Sequence, residues 1–290
     1  MKKSIKLFFL IFKESGTVYA ERERERERFL TRCKEFFKRL RGDNKVDDVQ
    51  RELRMCVAGL QSHITGLLHH TGMVKPSAEH FQMLLARAYV APRYHKVFYD
   101  FYRRHQKGEP LVMIDGGVHQ GVFSDLALFC GAEVYGFEPN RYLASFLRTL
   151  YQNNPHFHFY ESAIATTNST LSFLDCGDCV DSAGGSIVHF GGEFEKLVKQ
   201  NSHYDVKAVD FPQFLKELQA KSRVNFIKLD IEGAEFDVME ALLAQNLLAD
   251  VEYVMVETHE RFFENPTAKI TALENKIKEK DLHNIYLDWV

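Results

Sequence analysis

From residue 111 onward the chain alternates short apolar runs with helix-length segments, and this alternation constrains its fold more than any other feature. The runs are 111–114 (Leu-Val-Met-Ile), 134–137 (Val-Tyr-Gly-Phe), 157–160 (Phe-His-Phe-Tyr), 224–229 (Val-Asn-Phe-Ile-Lys-Leu) and 251–256 (Val-Glu-Tyr-Val-Met-Val). Mainly apolar runs of this length suit strands covered on both faces, and helical segments between them supply the crossovers that parallel strands need. The pattern predicts an α/β fold, a doubly wound, Rossmann-like, mostly parallel sheet over residues 105–290. Two further β-like stretches, 170–174 and 284–290, are expected to extend the sheet or to form a hairpin. The chain stops soon after Trp289, which leaves little room for another strand.

Residues 1–104 read differently, as an N-terminal helical cap. Phe29, Leu30, Cys33, Phe36, Phe37 and Leu40 recur at helical spacing before a stop at Gly42, and Leu53, Cys56, Leu60, Ile64 and Leu67 repeat the pattern. Glu and Arg alternate from Glu21 to Arg28, which in a helix sets opposite charges three residues apart on a solvated surface. Aromatic residues gather at the end of this region, at Tyr89, Tyr94, Phe98, Tyr99, Phe101 and Tyr102, and are expected to pack against the following domain, with a substrate-binding face as the alternative.

Charge is distributed unevenly. Residues 1–45 hold 14 Lys or Arg against 7 Asp or Glu, a balance of +7 in a chain of net charge -3, so the remainder carries -10. The basic front end offers a peripheral contact for anionic lipid, although a solvated surface is the commoner outcome of such a segment. The acidic remainder argues against nucleic acid as a partner. Met1 to Phe12 begins like a secretion signal, but its apolar run is short and bracketed by Lys6 and Lys13, and nothing approaches the roughly 20 apolar residues of a membrane span. A cytoplasmic location is the expectation. The 5 cysteines are an odd number in a chain too large to need disulfide staples, so reduced thiols are expected, including the C-x-x-C pair Cys176 and Cys179.

The chemistry gathers where the strands end. The first run leads into 115–121 (Asp-Gly-Gly-Val-His-Gln-Gly), a strand-to-helix turn whose glycines let backbone approach a ligand beyond the carboxyl ends of the strands. No register of this loop fits the dinucleotide fingerprint, because Val118 or His119 stands where a glycine is required. A carboxylate at Asp115 would repel a pyrophosphate but attract the ammonium of a methionine moiety, which favours S-adenosylmethionine. The second run ends at Glu138, 23 residues after Asp115, where an acid can accept hydrogen bonds from both ribose hydroxyls of an adenosine.

These blocks resemble the FkbM family of class I S-adenosylmethionine-dependent methyltransferases. The resemblance is carried by 113–124 (Met-Ile-Asp-Gly-Gly-Val-His-Gln-Gly-Val-Phe-Ser), by 136–139 (Gly-Phe-Glu-Pro) and most specifically by 226–235 (Phe-Ile-Lys-Leu-Asp-Ile-Glu-Gly-Ala-Glu). Val209-Asp-Phe and Val256-Glu-Thr-His also fit, so the likeness spans roughly residues 107 to 260. His119 stands where the family usually has Asn. The resemblance implies methyl transfer to an oxygen of a small molecule, sugar or glycan, with the cofactor held by Asp115, Gly117, His119, Gly121, Glu138 and Asp230, and with adenine beside Ser162 and Ala163.

Attack on a sulfonium methyl needs an aligned nucleophile and a base for its proton. Asp230, Glu232, Glu257 and His259 are the candidates, with His259 or Asp230 as the base. Alternation places Lys228 on the same strand face as Asp230, where the two can neutralise each other. Glu232 is expected to open the next helix, whose N-terminus would favour its ionised form. The same carboxylates, Asp230, Glu232 and Glu257, allow an alternative in which a divalent ion assists the reaction. A glycine-rich segment between Asp175 and Gly192 reads as a lid or a plain surface loop. Two other classes stay open: a dinucleotide-dependent oxidoreductase on the same architecture, and a noncatalytic cofactor-binding scaffold whose helical cap recruits a partner.

Overall fold

A computed structural model describes residues 77–175 and 202–288 of the chain. The basic front end, the expected helices before residue 77, Cys176 and Cys179, and the glycine-rich segment after Asp175 lie outside the described residues. Among the described residues no helix is long and apolar enough to cross a membrane.

Helices α1 (Ala78–Arg87) and α2 (His95–Gln106) precede the sheet, and Ser77 caps α1 by accepting from the His80 backbone N–H at 3.1 Å. The strands that follow are β1 (Leu111–Gly116), β2 (Ala132–Phe137), β3 (Phe157–Tyr160), β7 (Phe226–Leu229), β8 (Tyr253–Val256) and β9 (Ile285–Tyr286). They form one sheet in the order β3-β2-β1-β7-β8-β9, with every neighbouring pair parallel. Crossovers run through α3 (Val122–Phe129), α4 (Arg141–Tyr151), α6 (Glu235–Ala244) and α7 (Pro266–Glu279), while α5 (Phe211–Gln219) leads into β7. The fold is therefore Rossmann-like. The direction of winding reverses between β1 and β7, the topological switch point at which open α/β sheets bind ligands.

The last expected strand shortens to β9 and pairs parallel with β8, extending the sheet. The stretch around residues 170–174 leaves the main sheet instead. It becomes β5 (Ser169–Asp175) of a second, three-stranded sheet, antiparallel to β6 (Ser202–Asp210), which also pairs parallel with the short β4 (Ala163–Ala165).

Alternation along the strands builds a core on each face. Met113, Val134, Phe226 and Met255 face one way, toward Phe81, Phe98, Phe101, Phe123 and Leu126 of α1 to α3. Ile114, Ile227, Leu229 and Val254 face the other way, toward Phe211 and Leu215 of α5 and Met239 and Leu242 of α6. The aromatic cluster before the sheet is thus largely core. Phe98 packs on Phe123 and Phe226 with ring centroids 6.0 and 5.4 Å apart, whereas Tyr89 is 77% exposed. Arg104 at the end of α2 donates to both carboxylate oxygens of Glu252, at 2.9 and 3.0 Å, beside the start of β8.

Truncating Phe98 to Ala removes a buried ring between α2 and the sheet. It is expected to lower unfolding free energy by about 3 to 5 kcal/mol, as read from urea denaturation. A loss below about 1 kcal/mol would mean that α2 contributes little to this core.

Candidate active site

The loop that follows β1 is shaped by left-handed backbone. Gly117 and Gly121 have φ of 80° and 81°, and His119 between them has φ of 51°. Asn and His are among the few non-glycine residues that tolerate this region, which gives a backbone reason for either of them at position 119. The N–H groups of Gly117 and Val118 both donate to the Phe137 carbonyl at 3.0 Å, folding the loop back onto the end of β2. A Cβ at Gly117 would lie 1.9 Å from the Asp230 carbonyl oxygen, and one at Gly121 would lie 2.3 Å from the Tyr151 hydroxyl. Glycine is therefore required by close approach as well as by dihedral angle.

Glu138 joins the two expected cofactor motifs directly. Its carboxylate accepts from the His119 N–H at 2.8 Å through one oxygen and from the Asn140 N–H at 2.9 Å through the other. Burial pushes its carboxyl up to about 7, against the pull of those two donors. Next to it, the Glu138 N–H donates to the Tyr160 carbonyl at 3.1 Å, which brings the segment after β3 alongside. Ser162 and Ala163 sit there, both buried, and the Ser162 Oγ has no hydrogen-bond partner among the described residues.

Asp115 differs from expectation. It is not an open carboxylate at the loop mouth: it is fully buried, accepts from the Ser124 hydroxyl at 2.6 Å and lies 3.4 Å from the Lys228 ammonium. The register explains this, because Asp115 and Lys228 are direct partners on adjacent parallel strands and their side chains leave the same face. Burial raises the Asp115 carboxyl, opposed by Lys228. Lys228 also reaches Asp230 at 3.2 Å, as the strand alternation predicts, and donates to the Gly117 carbonyl at 2.6 Å.

Beyond β7 and β8 the remaining candidates converge on one imidazole. His259 Nε2 lies 3.4 Å from Glu232, 3.8 Å from Asp230 and 3.9 Å from Glu257. Asp230 and Glu257 are the more accessible members, with side chains 29% and 32% exposed, whereas that of His259 is 1% exposed.

Glu232 does not open the helix. The helix begins at Glu235, and Glu232 occupies a left-handed turn before it, with φ of 53°. Burial, not a helix terminus, dominates its charge and pushes its carboxyl up to about 7, with His259 pulling the other way. The residue that does use the helix start is Glu235, completely buried. One of its oxygens accepts from the His259 N–H at 2.7 Å and faces His259 Nδ1 at 3.2 Å, and the other accepts from the Gly233 N–H at 2.8 Å. Burial disfavours the imidazolium of His259, but the bond to Glu235 and the surrounding carboxylates outweigh it and raise its pKa. Glu235 stands in the most specific sequence block, and its signal as a holder of His259 was only an acid in the first turn of a helix.

Glycine loop, buried acid after β2 and carboxylate–imidazole group after β7 and β8 all lie at the carboxyl edge of one parallel sheet. The family model of the methyltransferase FkbM domain matches residues 115–282, more than half of the chain. The chain belongs to the FkbM methyltransferase family. No curated protein and no solved structure gives a significant match. The FkbM match takes in every candidate site residue from Asp115 to His259 and begins at Asp115 itself.

Lys228→Met in this FkbM domain would leave Asp115 buried without a counter-charge. Breaking a buried pair on one side costs about 3 to 5 kcal/mol, so a loss of that size is expected in chemical denaturation at neutral pH. Unchanged stability would show that the pair contributes nothing to the loop.

Proposed function

We propose that the FkbM domain transfers a methyl group from S-adenosylmethionine to a hydroxyl oxygen of a sugar, glycan or natural-product small molecule. The observation that carries this reading is the contact between Glu138 and the His119 N–H, which joins the glycine loop and the acid after β2 at one edge of the sheet. Glu138 would accept from the ribose hydroxyls. The unpartnered Ser162 hydroxyl and Ala163 would border the adenine. The backbone of Gly117 to Gly121 would line the methionine end, with Asp115 acting from beneath through Lys228. The cofactor would supply an electrophilic methyl group there.

The chain's own residues handle the acceptor. Its hydroxyl would approach from the side of Asp230 and Glu257, the carboxylates accessible enough to take its proton. His259, too buried to meet a substrate freely, orders these carboxylates from behind, and Glu235 keeps it in place. Alignment of the hydroxyl oxygen with the methyl group is the larger part of such catalysis, since the chemistry is a single in-line displacement.

Titration calorimetry with S-adenosylhomocysteine tests the cradle. Glu138→Ala is expected to weaken binding by an order of magnitude or more, because a charge-assisted hydrogen bond contributes about 1.5 to 3 kcal/mol. Equal affinity in the variant would remove the ribose assignment. A chain that binds the compound tightly but methylates no hydroxyl acceptor would instead be a scaffold.

The pH dependence has a definite sign. Glu138 is pushed up to about 7, so it is largely protonated at pH 6 and ionised at pH 8, and ribose hydroxyls donate better to the carboxylate. Affinity for S-adenosylhomocysteine should rise several-fold between those values, and in Glu138→Gln the rise should shrink. An identical pH profile in both proteins would assign the effect elsewhere.

A further inference from the structure

We propose that Asp230, Glu232 and His259 hold a divalent transition-metal ion, with Glu235 as the buried support of its imidazole ligand. One oxygen from each carboxylate and one nitrogen of His259 lie within 4.8 Å of one another. From Nε2 the two oxygens are 3.8 and 3.4 Å away. Ligands about 2.1 Å from a shared ion stand roughly 3 to 4 Å apart, so the cluster needs little adjustment to close on one.

The imidazole supplies an observation independent of the acidic character of the cluster. His259 is 1% exposed, yet its Nε2 makes no hydrogen bond among the described residues. Its polar neighbours are carboxylate oxygens at 3.4, 3.8 and 3.9 Å. An imidazolium that only made an ion pair would draw one of them to about 2.7 to 2.9 Å. The nitrogen is instead shared among three acceptors, at distances that an ion placed within the group would bridge.

Its other face matches the outer shell of a metal site. Glu235 faces Nδ1 at 3.2 Å and accepts from the His259 backbone N–H at 2.7 Å. A carboxylate behind an imidazole fixes the ring and leaves the lone pair on the far nitrogen, as in metal-binding carboxylate–histidine pairs. Lys228 lies against one oxygen of Asp230 at 3.2 Å, while the other oxygen is the one facing His259. The ligand set thus differs from the all-carboxylate one suggested by sequence, because His259 takes the place of Glu257. One imidazole with two carboxylates suits ions of the Mn2+ or Zn2+ type better than Ca2+.

The catalytic use of the ion rests on the methyl-transfer reading; its binding does not. An acceptor hydroxyl beside the ion would ionise more readily and pass its proton to Glu257, which the ion leaves free. The oxygen lone pair then forms the O–C bond as the C–S bond breaks, and that electron pair returns to sulfur as a neutral thioether. The metal keeps its oxidation state.

The full chain, stripped with EDTA and dialysed, is titrated with MnCl2 and followed by electron paramagnetic resonance. The expected result is one Mn2+ per chain, with the nitrogen modulation of a bound imidazole in the pulsed spectrum. Asp230→Asn and His259→Gln should each weaken binding at least tenfold, while Glu133→Gln at the opposite end of β2 should not. Substoichiometric uptake, or uptake without the nitrogen signal, overturns the proposal from the unaltered protein alone, even if a variant fails to fold. Titrating the metal-free chain with S-adenosylhomocysteine separates the two ideas. Cofactor binding without Mn2+ uptake sinks only the metal site, and Mn2+ uptake without cofactor binding sinks only the methyl-transfer reading.

Discussion

Lys228 carries its ammonium to a place almost closed to water, between the carboxylates of Asp115 and Asp230 and the carbonyl of Gly117. The desolvation of such a group is costly, and only several partners at once offset it. Those partners come from the end of β1, the loop after it and the end of β7. Their mutual position is therefore tied to one side chain. The parallel register that makes Asp115 and Lys228 neighbours is what allows the arrangement, since a shift by one residue would send the two side chains to opposite faces.

From this tie the two halves of the site follow. On the β2 side, the loop held by Lys228 presents the His119 N–H to Glu138. On the β8 side, Asp230 is held with one oxygen toward Lys228 and the other toward His259, which Glu235 fixes from within the core. The proposed cofactor half and the proposed acceptor half thus share the β1–β7 boundary, where the winding of the sheet reverses. Rigid secondary elements beneath and short loops above are what a displacement reaction requires, because small errors in alignment cost rate steeply.

Much of this was legible in the sequence, and the reason is burial on both faces. Runs such as 111–114 and 226–229 must be apolar nearly throughout to sit between two helical layers, so they stand out from half-exposed segments. Lys228 and Asp115 interrupt that pattern at strand ends, where a charged residue in a core strand signals a site. Less legible was anything that depends on where a helix starts. Glu232 and Glu235 are both acids near the same turn, and only the observed start at Glu235 shows that the later one is buried behind His259 while the earlier one faces it. The contact of His119 with Glu138 runs through its backbone N–H, so what the sequence shows at position 119 is a residue tolerant of left-handed backbone and not the bond itself. The second sheet was hidden because β4 is only three residues long, and its pairing with β6 spans more than 40 positions of chain.

The central claim, that the loop after β1 and the acid after β2 form a single nucleoside cradle opening onto the Asp230–His259 group, is tested most directly by a crystal structure with S-adenosylhomocysteine bound. The ribose should lie within hydrogen-bond reach of Glu138, with the sulfur directed toward Asp230 and Glu257. A ligand seated elsewhere on the sheet, or one in this crevice with its sulfur turned away from that group, would contradict the account.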